Sequence, residues 1–270
     1  MTGDIRDSLF SSIRDKQFTA VLRAEGSGCL SGIEQAEKQF KEMGILFQVY
    51  KKDGDSVAAE ERIGIVTGTP KQIAIAEEKL IAILSKYSGI ASAAYKAMGF
   101  AAGQVRIACG AWKKMPPEIK DGVRRAVCDG GADFRITSVP MIYLDKNYIR
   151  MFGSIKQTLV ALQEFAEHLK VVQIRGELGS VEEETQDAVE YGAGILMVDT
   201  GDEADLTRCF VALEQMDKRK KVQVAYAGGV VLADIPRYRD MGVDILCIGR
   251  EIVDAPLLDM KLDVELKNGE

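Results

Sequence analysis

Between Val105 and Ile248, short runs of β-branched and apolar residues alternate with segments that have helical spacing. The apolar runs predict seven strands: Val105–Ala108, Phe134–Thr137, Met141–Leu144, Val171–Arg175, Ile195–Val198, Val222–Tyr226 and Ile245–Ile248. Helices are predicted over Pro117–Val127, Ile155–Leu169, Val181–Tyr191, Glu203–Met216 and Leu232–Met241. Because strand–helix alternation of this kind builds parallel sheets, the pattern predicts an α/β fold.

Two of these strands share one sequence template. In Gly192–Asp199 and in Gly242–Gly249, a turn glycine ends a helix and a buried apolar strand follows. The first strand ends in a carboxylate and the second in Gly249, which Arg250 follows. In α/β barrels the carboxyl ends of the strands face the active site, so the template favours a parallel barrel with chemistry at these ends.

The first hundred residues have a different pattern of predicted secondary structure. Turn-forming segments rich in Gly, Asp and Pro separate short strand-like runs such as Phe18–Leu22 and Arg62–Val66. A long helix follows, opened by Pro70 and carrying apolar residues at helical spacing from Ile73 to Ile90. We therefore predict an α/β front domain over residues 1–103, to which the C-terminal tail can return, and a barrel domain over residues 104–255.

Composition narrows the class of partner. The net charge of −6 argues against nucleic acid or an anionic membrane as the main partner, because such surfaces favour clustered Lys and Arg. A net negative charge is still compatible with a single basic pocket that binds a small phosphorylated anion. The charged N-terminus has no apolar signal core and no apolar run is long enough to span a bilayer, so we expect a cytoplasmic protein.

The predicted strand ends carry the residues that we take as candidates for chemistry. Basic groups follow the early strands, carboxylates the middle ones and glycines the last two; in chain order these are Lys113, Lys114, Arg135, Lys146, Glu177, Asp199, Gly228, Gly229, Gly249 and Arg250. Glycines after late barrel strands are typical of phosphate sites, and carboxylates can hold ribose hydroxyls or a Mg²⁺ that the phosphates bring. The set predicts a phosphorylated anionic substrate.

Other chemistries lack sequence support. The sequence contains no GxSxG, GxxxxGK[ST], HExxH or GxGxxG motif and no CxxC pair. The one histidine, His168, falls in the predicted helix Ile155–Leu169, so we expect it on a helix surface rather than in a site.

Several of these segments resemble one known family, quinolinate phosphoribosyltransferase, also called carboxylating nicotinate-nucleotide pyrophosphorylase. The segments that carry the resemblance keep the family's order and spacing along nearly the whole chain: Tyr87-Ser-Gly-Ile-Ala-Ser92, Lys113-Lys-Met-Pro-Pro117, Gly130-Gly-Ala-Asp-Phe-Arg135, Asp145-Lys-Asn-Tyr-Ile149, Gly192–Asp199 and Ala227-Gly-Gly-Val230. This collinearity depends little on any single motif.

The resemblance implies an open, incomplete parallel α/β barrel with an N-terminal α/β sandwich domain. It also implies a homodimer or larger assembly that joins a pyridine dicarboxylate to phosphoribosyl pyrophosphate with Mg²⁺. By this resemblance Lys114, Glu177 and Asp199 are the catalytic residues. Mg²⁺ would have no direct protein ligand and would be bound mainly through the substrate, near Glu177 and Asp199. The remaining candidates bind substrate: Lys113, Arg135, Lys146, Gly228, Gly229, Gly249 and Arg250.

Departures from the family are concentrated where the acceptor binds. Glu78 stands where the family has an interface arginine, Phe134 where it has a histidine, and Asp145 where it has a lysine. These changes remove or reverse charges that would pair with the two carboxylates of quinolinate. We therefore predict a phosphoribosyltransferase for an aromatic nitrogen heterocyclic acid other than quinolinate.

Two other functions stay open on the sequence alone. One is a non-catalytic nucleotide-binding or regulatory relative of the enzyme. The other is a barrel lyase that uses Lys113 or Lys114 as an amine nucleophile.

Overall fold

The computed structural model describes residues 4–266. The chain divides into two compact units. One contains the described residues up to Lys96, a return segment Met115–Gly131 and the residues from Ile252 onward; the other contains Ala97–Lys114 and Ala132–Glu251. No helix among the described residues is both long and apolar enough to cross a membrane.

The first unit is built on an antiparallel sheet. Its four strands lie in the order β12-β1-β5-β3, with β1 at Phe18–Ala24, β3 at Leu46–Val49, β5 at Arg62–Gly68 and β12 at Met260–Val264. The strand-like runs that the sequence predicts lie in β1 and β5. A two-stranded sheet pairs β2 (Gly28–Cys29) with β4 (Ser56–Val57), and helices α1 (Ile5–Leu9) and α2 (Ile33–Glu42) complete the segment.

Helix α3 covers Pro70–Ala101, a longer span than the apolar spacing predicts. Its stripe of Ile73, Leu80 and Leu84 is buried in the unit's own core, together with residues of β1, β5 and β12. The stripe is thus buried within the chain's own core.

The second unit contains a parallel sheet of six strands in the order β6-β11-β10-β9-β8-β7. The strands are β6 (Arg106–Ala108), β7 (Met141–Leu144), β8 (Leu169–Ile174), β9 (Ile195–Asp199), β10 (Gln223–Ala227) and β11 (Ile245–Cys247). Strands β6 and β7 form the two edges, so the sheet does not close. The predicted fold class, an open parallel α/β barrel with an N-terminal α/β sandwich domain, is confirmed, and the sheet of the N-terminal unit is antiparallel.

Helices alternate with these strands along the chain. They are α4 (Pro117–Asp129), α5 (Lys146–Phe152), α6 (Ile155–Val160), α7 (Val181–Glu190), α8 (Glu203–Gln215), α9 (Ile235–Asp240) and α10 (Arg250–Val253). Short 3-10 turns cover Ala111–Lys114 and Leu232–Asp234. Inside the barrel, Val171, Ile195 and Ile245 belong to one apolar cluster, because alternate residues of each strand face the interior.

The predicted strand Phe134–Thr137 is wrong. Only the preceding residue, Asp133, bridges β6: its N–H donates to Ile107 O over 2.9 Å and its own carbonyl accepts from Cys109 N over 2.7 Å. The next carbonyl, that of Phe134, accepts from the indole Nε1 of Trp112 over 2.7 Å. The Phe134 carbonyl is therefore occupied by a side chain, and residues 134–136 form bends instead of a strand.

Two predicted helices are shorter than their apolar spacing indicates. The helix predicted over Ile155–Leu169 ends at Val160, and the chain continues in turns to β8. The helix predicted over Leu232–Met241 is divided into a 3-10 turn and α9, where Pro236 stands in the first turn. Proline lacks the N–H that a continuous helix would use, so it favours a new helix start at this point.

Candidate active site

A cavity of about 1120 Å³ occupies the interior of the second unit. Its wall includes the carboxyl ends of β9, β10 and β11, represented by Asp199, Ala227 and Cys247. It also reaches the amino ends of β7 and β8, where Met141 and His168 line it. The site that barrel folds place at the carboxyl ends of their strands therefore continues into the barrel.

Glycines form one side of the mouth. Gly228 and Gly229 follow β10 with φ values of 110° and 98°, a backbone region that side chains with a Cβ rarely adopt. A Cβ on Gly228 would lie 2.3 Å from the backbone nitrogen of Gly201, so this close approach also requires glycine. Among residues 4–266, none accepts a hydrogen bond from the N–H of Gly228, Gly229 or Gly249. The three N–H groups are therefore free to bind an anion.

The cavity also has an aromatic wall with cations. Trp112 and Phe134 lie edge to face, with ring centroids 6.2 Å apart, and Tyr143 stands nearby in the interior layer of β7. The ammonium of Lys113 lies 5.9 Å from the Trp112 ring and 5.7 Å from the Tyr143 ring, and Arg135 lies over Phe134 at 5.0 Å. Cation–π contacts of this kind hold positive charge beside flat apolar faces.

Burial changes the acidity of two groups in this wall. It raises the pKa of the Tyr143 hydroxyl, and the Cys247 thiol and Asp199 carboxylate nearby add to the shift. The pKa of the Cys247 thiol rises to about 12, again mainly through burial. Both groups are therefore neutral near pH 7, and the charge of the wall comes from Lys113 and Arg135.

Asp199 ends β9 and is one of two carboxylates, with Glu251, that line the cavity. Its Oδ2 accepts from Gln173 Nε2 over 2.6 Å. The Gln173 amide is itself fixed, because its Oε1 accepts from the backbone N–H of Lys146 over 2.7 Å. Gln173 is 7% exposed, so this chain of bonds orients Asp199 from the barrel interior.

Arg175 follows the last residue of β8 and contacts Asp199. Its Nη1 donates to the backbone carbonyl of Asp199 over 2.7 Å and lies 3.7 Å from Oδ2 of the same residue. Its Nε donates to Glu177 Oε1 over 2.7 Å, and Arg150 binds the other oxygen of Glu177. The two arginines hold the pKa of Glu177 below its ordinary value, Arg175 having the larger effect. We call these four residues, Arg150, Arg175, Glu177 and Asp199, the β8–β9 corner.

A buried carboxylate holds the loop that carries Arg175. Glu184 of α7 is 7% exposed and accepts four backbone hydrogen bonds, two on each oxygen. The donors are the N–H groups of Arg175, Gly176, Glu177 and Leu178, at 2.8 to 3.1 Å. The direction in which Arg175 leaves the strand is therefore fixed by a residue of the following helix.

Comparison with known proteins decides the family. A model of the quinolinate phosphoribosyl transferase C-terminal domain matches residues 90–263, and one of the N-terminal domain of the same family matches residues 4–88. The chain belongs to the quinolinate phosphoribosyl transferase family. Together the two matches cover both the antiparallel sheet and the barrel.

Relatives within this family are similar over nearly their whole length. A probable carboxylating nicotinate-nucleotide pyrophosphorylase from Archaeoglobus fulgidus is 28% identical over 94% of this chain and 97% of its own. One from Methanothermobacter thermautotrophicus is 27% identical over 93% of this chain and 90% of its own. The names of these relatives confirm the predicted enzyme class, a pentosyltransferase.

Solved structures of the family share the fold. The nicotinate-nucleotide pyrophosphorylase from Francisella tularensis superimposes with a TM-score of 0.83 over 98% of this chain and 91% of its own, at 22% identity. The enzyme of the same name from Ehrlichia chaffeensis gives a TM-score of 0.84 over 98% of this chain and 93% of its own, at 18% identity.

Against this family background, the structure brings most of the predicted site residues together. The cavity is lined by Lys113, Lys114, Phe134, Arg135, Asp199, Gly228, Gly229, Gly249 and Arg250. His168 also lines it, in contrast to the helix surface expected from the sequence, since the helix ends early and the residue directly precedes β8. His168 Nδ1 lies 2.9 Å from Glu167 Oε1.

Four predicted residues lie elsewhere. Glu177 is paired with two arginines at the β8–β9 corner and does not line the cavity. Asp145 caps α5, accepting from the N–H groups of Asn147 and Tyr148, and the exposed Lys146 is the first residue of that helix. Glu78 belongs to the first unit, where it pairs with Arg6 at 3.3 Å and is 75% exposed.

Sequence reasoning missed three residues of this site: Gln173, Arg175 and Trp112. Gln173 and Arg175 follow Val171 at a spacing of two, which places all three on one face of a strand. That alternation was the available signal for an interior position.

Proposed function

We propose that the chain transfers a phosphoribosyl group from phosphoribosyl pyrophosphate to the ring nitrogen of an aromatic heterocyclic acid. The observation that carries this proposal is the juxtaposition within one cavity of free glycine N–H groups, a carboxylate at a strand end and an aromatic wall with cations. Phosphoribosyl pyrophosphate is the co-substrate of this enzyme class.

The sugar-phosphate half would bind at the glycine side of the mouth. The N–H groups of Gly228, Gly229 and Gly249 suit the oxygens of a phosphate, and Arg250 adds a cation. Asp199, held by Gln173, would accept hydrogen bonds from the ribose hydroxyls. Lys114 would pair with the diphosphate.

We include Mg²⁺ in the proposal as a partner of the diphosphate. Mg²⁺ commonly binds one or two carboxylates together with substrate phosphates, and Asp199 retains Oδ1, whereas Oδ2 accepts from Gln173. No group of three metal-ligating side chains occurs in residues 4–266, and both oxygens of Glu177 are bound by arginines. The donor set thus fits a metal held by the substrate and Asp199. When bound, it would neutralise charge on the leaving diphosphate.

In the proposed reaction, the lone pair of the acceptor's ring nitrogen forms a bond to the anomeric carbon. The bond from that carbon to the diphosphate oxygen breaks, and the electron pair leaves with the diphosphate. Lys113, Lys114 and Arg135 would stabilise the negative charge that develops on the leaving group and hold the acceptor in line. The rings of Trp112 and Phe134 would exclude water from the acceptor side.

We further propose that the acceptor is not quinolinate. Phe134 presents an apolar ring where the family resemblance leads us to expect a histidine, and Arg135 lies over that ring. Asp145 is used as a helix cap, and Lys146 does not replace the missing cation in the cavity wall. A less anionic heterocycle, stacked on the aromatic wall with one carboxylate at Lys113, suits this arrangement better than a dicarboxylate.

A thermal-shift screen followed by an assay of diphosphate release tests the proposed function. Phosphoribosyl pyrophosphate with Mg²⁺ should raise the unfolding temperature, because a ligand that binds only the folded state stabilises it by RT ln(1 + [L]/Kd). A panel of pyridine and other heterocyclic monocarboxylates should then give diphosphate release with at least one member. Absence of any shift with phosphoribosyl pyrophosphate would contradict the proposal.

We also propose a homodimer or larger assembly. Helix α5 exposes Tyr148, Met151 and Phe152 to between 44% and 74%, a group of apolar side chains that a second copy of the chain would cover. The apolar stripe of α3 does not support it, since it is buried in the chain's own core.

A further inference from the structure

Arg175 lies where the carboxyl ends of two adjacent strands, β8 and β9, are in contact. Strand β8 pairs with β9 in parallel register from Val171 with Ile195 to Ile174 with Val198, so the next residue of each strand, Arg175 and Asp199, are neighbours. Val171 belongs to the interior cluster and Gln173 contacts Asp199. By the alternation of side chains along a strand, Arg175 is therefore on the same face of β8 as Val171 and Gln173, where it contacts the cavity residue Asp199 without itself lining the cavity.

The position of its guanidinium is fixed from two sides. Nε is held by Glu177 over 2.7 Å and Nη1 by the carbonyl of Asp199 over 2.7 Å, while Glu184 holds the backbone N–H over 2.8 Å. Among residues 4–266, none accepts a hydrogen bond from Nη2. The group thus keeps donors for a ligand and loses little conformational entropy when it binds one.

Neutralising the charge of Glu177 does not require Arg175. Arg150 already binds Glu177 through the other carboxylate oxygen, so that charge is neutralised without Arg175. The β8–β9 corner contains two arginines and two carboxylates and has no net charge. Two free carboxylates there would attract a divalent cation, whereas a neutral corner with a fixed guanidinium attracts one far less.

We propose that Arg175 is a further substrate-binding residue, whose guanidinium binds the diphosphate of phosphoribosyl pyrophosphate beside Asp199. It supplies at this corner part of the positive charge that Mg²⁺ would otherwise supply alone. The planar guanidinium suits this role because it binds phosphate oxygens through paired N–H donors. This inference rests on the proposed function, since it takes phosphoribosyl pyrophosphate as the ligand.

Calorimetry of phosphoribosyl pyrophosphate binding, with Mg²⁺ and with excess chelator, tests the inference on the full chain. The wild-type chain should retain measurable binding in chelator. Arg175→Gln should weaken binding in chelator by about tenfold or more, the value of one charge-assisted hydrogen bond, and by a smaller factor with Mg²⁺. Arg175→Lys should give an intermediate loss, because it keeps the charge but not the paired donors.

Arg208→Gln is the matched control, since it removes an arginine that pairs with Glu182 and Asp205 outside the cavity lining, and it should leave both affinities unchanged. Thermal unfolding of each variant checks that the fold is kept. Equal affinity of Arg175→Gln and wild type in chelator overturns the inference while leaving the proposed function in place. If the wild type binds no phosphoribosyl pyrophosphate under either condition, the proposed function fails and the inference with it.

Discussion

The side-chain amide of Gln173 donates to Oδ2 of Asp199 over 2.6 Å, which ties a buried residue of β8 to the carboxylate that ends β9. Because the amide oxygen is occupied by the N–H of Lys146, the amide cannot turn its other face to Asp199. The orientation of Asp199 is therefore set by main-chain geometry two strands away, and the carboxylate is preorganised for its ligand.

Asp199→Asn should weaken Mg²⁺-dependent binding of phosphoribosyl pyrophosphate by about tenfold or more, since a carboxylate that would bind ribose and metal is lost. The fold should persist, because an asparagine oxygen can still accept from Gln173. Calorimetry with Mg²⁺ measures the effect. Asp263→Asn, an equal charge change at an exposed position of β12, is the control. Unchanged affinity in Asp199→Asn would remove this residue from the site.

Glu184→Gln should lower the free energy of unfolding by about 1–3 kcal/mol. An amide has one acceptor oxygen, so at least two of the four backbone N–H groups that Glu184 now binds would lose their partner. Urea unfolding measures the loss, and faster hydrogen exchange at Gly176 and Glu177 would locate it. Glu182→Gln, on the same helix but 42% exposed, should change little. Equal stability of the two variants would contradict this account of the loop.

Asp129→Asn should stabilise the chain relative to wild type more strongly near pH 7 than near pH 3.8. Burial raises the pKa of Asp129 above its ordinary 3.8, with the hydrogen bond from Ser31 opposing the shift. The native state then keeps this proton to a higher pH than the unfolded state does. Ionising Asp129 therefore costs stability as the pH rises through the raised pKa, and asparagine avoids this cost.

Urea unfolding of wild type and Asp129→Asn at both pH values checks the sign of this effect. Asp121→Asn, on the same helix and 92% exposed, is the matched control. A difference between Asp129→Asn and wild type that does not vary with pH would show that the carboxyl group titrates normally.

Quinolinate should not be turned over efficiently. Glu78, Phe134 and Asp145 replace three groups that the family resemblance assigns to the acceptor's carboxylates, each worth about 1.5–3 kcal/mol as a charge-assisted hydrogen bond. The assay combines quinolinate, phosphoribosyl pyrophosphate and Mg²⁺ and follows nicotinate mononucleotide by chromatography. A kcat/KM of about 10⁴ M⁻¹s⁻¹ or more, the range of ordinary enzymes, would show that the proposed acceptor class is wrong.

In solution the chain should have at least twice the mass of one 29.5 kDa subunit. The apolar side chains of α5 would then be covered by a second copy. Light scattering at micromolar concentration measures the mass, and Met151→Lys should shift it toward the monomer. A wild-type mass of 29.5 kDa would contradict the assembly.

Much of the barrel and half of its mouth could be predicted from the sequence. A turn glycine followed by an apolar run marks a buried parallel strand, and the two strands with this pattern end at Asp199 and Gly249, which both line the cavity. The pattern succeeds because strand direction and strand end are both local properties of the chain.

The contacts of the β8–β9 corner could not be predicted from the sequence. After β8 the chain turns at Gly176, with φ at 65°, so that Arg175 faces Asp199 while Glu177 is directed to Arg150. Which of two polar residues enters a site depends on this turn, and on the distant Glu184 that holds it. The predicted strand Phe134–Thr137 is wrong for a similar reason. Strand propensity does not reveal that the indole N–H of Trp112 donates to the carbonyl of Phe134.

The cavity lining and the whole chain have charges of opposite sign, and this affects how an anionic ligand reaches the cavity. Four cationic side chains and two carboxylates line the cavity, while the whole chain carries a net charge of −6. A diphosphate is therefore repelled at long range and attracted only within roughly one Debye length of the mouth, about 8 Å at physiological ionic strength. Added salt screens the distant repulsion along with the local attraction, so the association rate should depend only weakly on ionic strength.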